Sequence, residues 1–248
     1  MKKILSTQRF ERVDDYYHNT IIPEITNTQP IDLLHHPGAY LGLVTIAKYQ
    51  CITDCYMRVR HLSGNCADVG TWMGSTFLYV AKLVKLWEPY SYSCCHAFDW
   101  FRGMDIATGP DCHKSWNGTC KGSYENLIHL TTLQKLDDVA IIHKLDLIAE
   151  SEKFFDDNPH MRFKLIYFDC GAKEVLETAM PLFWERLVPC GIMMLDHYGL
   201  EPSPYEADIV DEITGGAIIH QYPIARQPSG YVIKGEGGAA KKKEREAP

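Results

Sequence analysis

The pattern of apolar and polar positions changes period near residue 66. Ahead of it, "AYLGLVTIAKYQCITDCYMRVRHLSG" spaces its apolar residues as a helix does and stops at Ser63-Gly64, glycine being a common helix terminator. One or two helices are expected there, behind polar and irregular residues 1–37. From residue 66 onward, short, continuously apolar runs alternate with helical patterns. The runs 66–69, 92–98, 139–143, 163–168 and 191–195 read as buried parallel strands, and the segments 75–87, 123–136, 146–157 and 173–187 read as helices between them. Such alternation predicts crossover units and a parallel sheet covered on both faces. After Asp196 the order changes to a helix near 204–213, then "AIIHQYPIA" and "YVIKG" separated by "RQPSG", an expected antiparallel hairpin.

Length and composition agree with one α/β core. A chain of 248 residues with 46% hydrophobic and 23% charged residues is of ordinary globular make-up. The organisation expected is a lead-in and helical segment over 1–63, an α/β domain over 64–235, and a charged, disordered tail over 236–248. A net charge of −7, with "KKKERE" as the only basic cluster, argues against a nucleic-acid partner. "MKKIL" is followed by polar "STQRFERVDD" where a signal peptide needs an apolar stretch, and no run is long enough for a membrane helix, so a cytoplasmic protein is expected. Nine cysteines without a C-x-x-C pair read as reduced thiols; even the densest group, Cys94, Cys95 and His96 with Cys112, His113 and Cys120, is not a zinc spacing.

Ligands of an open α/β sheet bind outside the carboxyl ends of its strands. Those ends carry Asp68-Val69-Gly70, Asp99, His143-Lys144, Asp169 and Asp196-His197. "DVGTWMGS" has neither the G-x-G-x-x-G spacing of a dinucleotide turn nor the Gly-Lys-Ser/Thr of a phosphate loop. Its two glycines suit a sharp turn close to a ligand, and Asp68 suits an ammonium or hydroxyl better than a pyrophosphate. Asp99 can accept ribose hydroxyls, or cap the loop that follows. Asp169 and Asp196 end adjacent strands, and with His197 they could hold a divalent ion; alternatively His197 is a general base oriented by Asp196. The Gly-rich, aromatic stretch 100–122 has the profile of a lid, in which Trp100, His113 and Trp116 could stack on an acceptor while Phe101 packs beneath.

These motifs resemble a known family. "ADVGTWMGSTFLYVAKLV" looks like the first motif of class I S-adenosylmethionine-dependent methyltransferases, and "HAFDWFRGM" and "LIYFDCGAKEVLETAMPLFWERLVPCGIMMLDHYG" are similar to segments of the macrocin O-methyltransferase group. The resemblance runs from about residue 64 to 235 and lies in the order and spacing of the motifs. It implies a seven-stranded Rossmann-like sheet, mostly parallel, with an antiparallel terminal hairpin. By the same resemblance, S-adenosylmethionine would lie over Gly70, Thr71, Gly74 and Ser75, its methionine end near Asp68 and its ribose near Asp99, with Trp100 and His143 on the neighbouring tips. It further implies magnesium or another divalent ion on Asp169, Asp196 and His197, a sugar hydroxyl as acceptor, and a homo-oligomer built through the N-terminal helical segment.

The chain departs from the family where chemistry is expected. D-G-D-x-Y is here Asp169-Cys170-Gly171-Ala172-Lys173, and the second acid of D-D-Y is His197. Imidazole in place of carboxylate softens the donor set toward transition ions. Catechol O-methyltransferases, with a similar fold, carry an amide at the position of His197, so a non-acidic residue fits there. Asp169, His197 and Lys173 are the candidates for handling the acceptor proton. The competing readings are a metal-independent methyltransferase of small molecules and a homologue that binds the cofactor without turnover; a nicotinamide dehydrogenase stands further off, its glycine spacing being absent.

Overall fold

The computed structural model describes residues 16–25, 30–104, 118–200, 203, 205–222 and 224–237. Short helical turns up to Tyr40 lead into a first long helix, α1 (Leu43–Val59). The sheet and its crossovers follow as β1 (Asn65–Val69), α2 (Ser75–Trp87), β2 (Cys95–Asp99), α3 (Tyr124–Leu133), β3 (Ala140–Lys144), α4 (Ser151–Asp157), β4 (Phe163–Phe168), α5 (Lys173–Arg186), β5 (Leu187–Leu195), α6 (Glu206–Thr214) and β6 (Gly230–Ile233). The strand order is β3-β2-β1-β4-β5-β6, parallel except for the antiparallel β5–β6 pair. The chain reverses direction across the sheet between β1 and β4, and this switch point is where an open α/β sheet leaves a crevice.

The expected seventh strand is reduced to one rung. His220 and Tyr231 exchange both backbone hydrogen bonds at 2.9 Å as an isolated antiparallel bridge, and no further ladder extends it among the described residues.

Two apolar layers hold the sheet. On one face, Cys51, Ile52, Cys55, Tyr56 and Val59 of α1 pack with Phe77, Val80 and Val84 of α2 against Leu165, Tyr167 and Met194. On the other, Phe155, Leu176, Met180 and Phe183 pack against Phe98, Phe163, Ile166 and Phe168. The helix preceding residue 64 therefore belongs to the same core as the sheet. All eight described cysteines are free thiols. No described helix is long and apolar enough to cross a membrane. The tail from residue 238 lies outside the described residues.

Candidate active site

The β1 tip is built around a buried acid with an unused oxygen. Asp68 is 2% exposed and its Oδ2 has no hydrogen-bond partner. Burial pushes its carboxyl up to about 7, against the pull of the Lys48 charge. Gly70 follows in the left-handed region at φ 87°, where an added Cβ would stand 2.3 Å from the carbonyl oxygen of Asp169. Only glycine lets the two tips approach so closely. Thr71 donates to the Asp68 carbonyl at 3.0 Å, Gly74 (φ 82°) closes the turn against Leu127, and the exposed Ser75 opens α2 with its hydroxyl 2.5 Å from that of Tyr49.

Asp99, at the β2 tip, ties two loops together. Its Oδ1 accepts the Phe101 N–H and its Oδ2 the Trp72 N–H, each at 2.6 Å. Both donors sit at positive φ, 60° and 50°, so the carboxylate stabilises two left-handed turns at once. Burial raises its pKa while these N–H bonds oppose the rise. The loop-capping alternative is thus realised, yet each oxygen keeps a second lone pair for a ligand. Trp100 donates its indole N–H to Gly103 at 2.7 Å, and Phe101 is buried beside Tyr124. Trp116 and His113 lie outside the described residues.

His143 is placed differently from the other tip residues. Its register with Phe98 puts both rings on one face of the sheet, where His143 stacks on Phe98 and His96 and meets Phe154 of α4 edge-on. Its Nε2 is 2.9 Å from His96 Nδ1, and burial holds the two rings down at about 4 and about 3 respectively. This ring is engaged in packing, as strand alternation dictates for the residue before the tip.

The tips of β4 and β5 bring Asp169, Asp196 and His197 together, with one potential donor atom from each lying within 4.8 Å of the others. His197 Nε2 stands 3.4 Å from Asp196 Oδ2, while its Nδ1, buried and unpartnered, is 4.0 Å from both Asp169 and Glu206. Lys173, first residue of α5, pairs with Glu177 at 3.3 Å and covers the Tyr205 ring, so it is turned to its own helix and to α6.

The crystal structure of CalS11, a calicheamicin methyltransferase, superposes with a TM-score of 0.73 at 17% identity, covering 93% of each chain. An apo structure of CalS11, titled a TDP-rhamnose 3'-O-methyltransferase, gives 0.66 at 16%, covering 93% of this chain and 94% of that one. The O-methyltransferase NovP gives 0.63 at 14%, over 76% and 80%. This is the Rossmann-like methyltransferase fold. No protein-family profile and no curated sequence matches the chain.

Within that fold, the switch-point cleft contains four side chains that the sequence reading does not single out. Lys48 reaches in from α1, its Nζ 3.8 Å from Asp169 Oδ2 and 3.8 Å from Asp196 Oδ1. Tyr167 donates to Asp196 Oδ1, Gln227 donates to Asp196 Oδ2 at 2.7 Å, and Glu206 is fully buried with both oxygens unpartnered. Lys48 had a readable signal: it sits on the helical stripe shared with Ile52, Cys55 and Val59, where a lysine is out of place. Tyr167 is likewise the one hydroxyl in the apolar run "FKLIYF".

These neighbours divide the charges. Burial works to lower the Lys48 pKa, but Asp196, Asp169 and Asp68 outweigh it and hold the ammonium above its ordinary value. Asp196, opposed by burial but supported by Lys48, His197 and Tyr167, stays below the usual carboxylate range and keeps its charge. Asp169, 29% exposed at its side chain, is pushed well up by burial and by the Asp196 charge, so it is the member of the pair that takes a proton. Burial pushes Glu206 up likewise.

The two expected ligands fare differently on this donor set. Asp68 Oδ2, a buried acceptor without a donor, fits the ammonium of an amino-acid moiety such as that of S-adenosylmethionine. A hard divalent ion fits poorly. Asp196 already accepts hydrogen bonds from Tyr167 and Gln227 with His197 3.4 Å away, and the Lys48 ammonium stands 3.8 Å from an oxygen of each acid.

Proposed function

We propose that the protein is an S-adenosylmethionine-dependent O-methyltransferase acting on a hydroxyl of a sugar or glycosylated small molecule. The observation that carries this reading is the buried Asp68, its Oδ2 without a donor, at the glycine turn of the switch point, with the acid–histidine cluster on the neighbouring tips. In the proposal Asp68 receives the cofactor's ammonium, Asp99 its ribose, and the turn Gly70, Thr71, Gly74 and Ser75 passes beneath it, flanked by Trp100. S-adenosylmethionine supplies a methyl group on a sulfonium, which is attacked directly.

The chain's own contribution is to align the acceptor, exclude water and take up a proton. A sugar hydroxyl is a weak nucleophile at neutral pH. As the acceptor is methylated, its hydroxyl proton would pass to His197, giving an ether and an imidazolium. Asp196, 3.4 Å from His197 Nε2, orients the ring. Asp169 stands 4.0 Å from His197 Nδ1, and Lys173, held by Glu177, is a less suitable proton acceptor than His197.

The test is calorimetric titration with S-adenosylhomocysteine. One-to-one binding that weakens at least about tenfold, or ~1.4 kcal/mol, in Asp68→Ala is expected; failure of the folded wild-type protein to bind removes the methyltransferase reading. With binding in hand, incubation with S-adenosylmethionine and a panel of nucleotide sugars and glycosides, followed by mass spectrometry for one added methyl group, identifies the acceptor.

A further inference from the structure

The acid pair at the tips of β4 and β5 carries its own cation. Lys48 lies at 3.8 Å from a carboxylate oxygen of each acid, a bridging position, and 4.9 Å above the ring of Tyr167, whose hydroxyl donates to the same oxygen of Asp196. Its stem leaves α1 beside Ala47, Cys51 and Ile52, all buried, so the ammonium is held from the core. Asp196 is 2% exposed and ringed by Tyr167, Gln227, His197 and Lys48. A divalent ion would have to displace the lysine and break hydrogen bonds already made inside the protein.

We propose that Lys48 takes the place of a divalent ion at this site, as a positioning residue that holds the carboxyl groups of Asp169 and Asp196 together and supplies the positive charge beside the acceptor. Methyl transfer by this chain is then independent of metal. The inference rests on the O-methyltransferase reading for its meaning, but the exchange of one cation for another can be measured without turnover. At 3.8 Å the ammonium pairs with each acid without a hydrogen bond to either, and the side chain is 27% exposed, which leaves its N–H groups able to meet an incoming hydroxyl.

The experiment is titration of manganese(II) into wild type, Lys48→Ala and Lys48→Arg, followed by electron paramagnetic resonance of the free ion and by calorimetry. Wild type and Lys48→Arg are expected to bind none in the submillimolar range. Lys48→Ala, its acid pair uncovered, is expected to gain one site with a dissociation constant of roughly 10⁻⁴ M or tighter, typical of modest carboxylate sites. One manganese bound by wild type and lost in Asp169→Asn overturns the proposal, as does a folded Lys48→Ala that still refuses the ion. If Lys48→Ala does not fold, the wild-type titration alone decides. S-adenosylhomocysteine titrated into the same wild-type sample separates the two readings: cofactor binding together with manganese binding sinks only the lysine proposal, whereas absence of cofactor binding sinks the methyltransferase reading.

Discussion

One strand, β4, carries a lysine–acid cluster at each end, and the two are finished differently. Near its start, Lys164 is fully buried and donates to Glu88 at 2.6 Å, Ser93 at 3.0 Å and the Arg60 carbonyl at 3.4 Å, one partner for each ammonium proton. Glu88 accepts in addition from Tyr56 at 2.6 Å, and although burial works against it, Lys164 and Tyr56 hold its pKa below the ordinary value. Beyond the last residue of the strand, Lys48 stands 3.8 Å from each of two acids, with unpartnered atoms on His197 and Glu206 nearby. A closed network fixes a structure, and an open one with buried unpartnered atoms is arranged for something that arrives later.

That contrast can be broken by substitution. The largest expected effect is at the open end: His197→Ala should lower turnover by about 10²–10⁴-fold, the usual worth of a general base, while the urea midpoint and the affinity for S-adenosylhomocysteine stay as in wild type. A stability loss with turnover intact would make the open cluster structural after all. At the closed end the outcome should invert. Lys164→Met leaves Glu88 buried without its cation and should cost about 3–5 kcal/mol of unfolding free energy, read by urea denaturation, with cofactor affinity of the folded fraction unchanged; adding Glu88→Gln should restore a large part of it.

Asp68→Asn sharpens the comparison through pH. The folded carboxyl titrates at about 7 against 3.8 when unperturbed, so between those values the folded chain holds a proton that the unfolded chain has released. Stability therefore falls as pH rises through that window, and the burial cost is complete above about 7. Asp68→Asn should raise the melting temperature at pH ~8, by up to a few kcal/mol in free energy, and leave it nearly unchanged at pH ~4, while weakening cofactor binding at either pH. Smallest is Tyr56→Phe, which removes a hydrogen bond to Glu88 and should cost about 1 kcal/mol by urea denaturation, with no effect on binding.

Much of the fold was readable in the sequence because buried parallel strands are continuously apolar. The helix expected at 75–87 matches α2 residue for residue, and the five parallel strands lie within a few residues of the apolar runs that announce them. The tip acids follow from the same pattern, since the residue that ends an apolar run also ends a strand. What was not readable depends on tertiary placement. Periodicity alone does not show that Lys48 turns from an amphipathic helix to an acid pair on distant strands, or that His143 turns its ring into a row of aromatic groups. The terminal hairpin misleads for another reason: "AIIHQYPIA" is apolar enough for a strand, yet its ladder stops at one rung.

Lys48 also gives the protein an order of completion. α1 is synthesised before any residue of the sheet, and the acids that receive the Lys48 charge come from the tips of the fourth and fifth strands. Until those strands emerge, the nascent chain carries a lysine among apolar neighbours with nothing opposite it. The lysine–acid cluster is therefore one of the last parts of the domain to be completed, and a chain cut short before residue 196 lacks the acid on which the cluster centres.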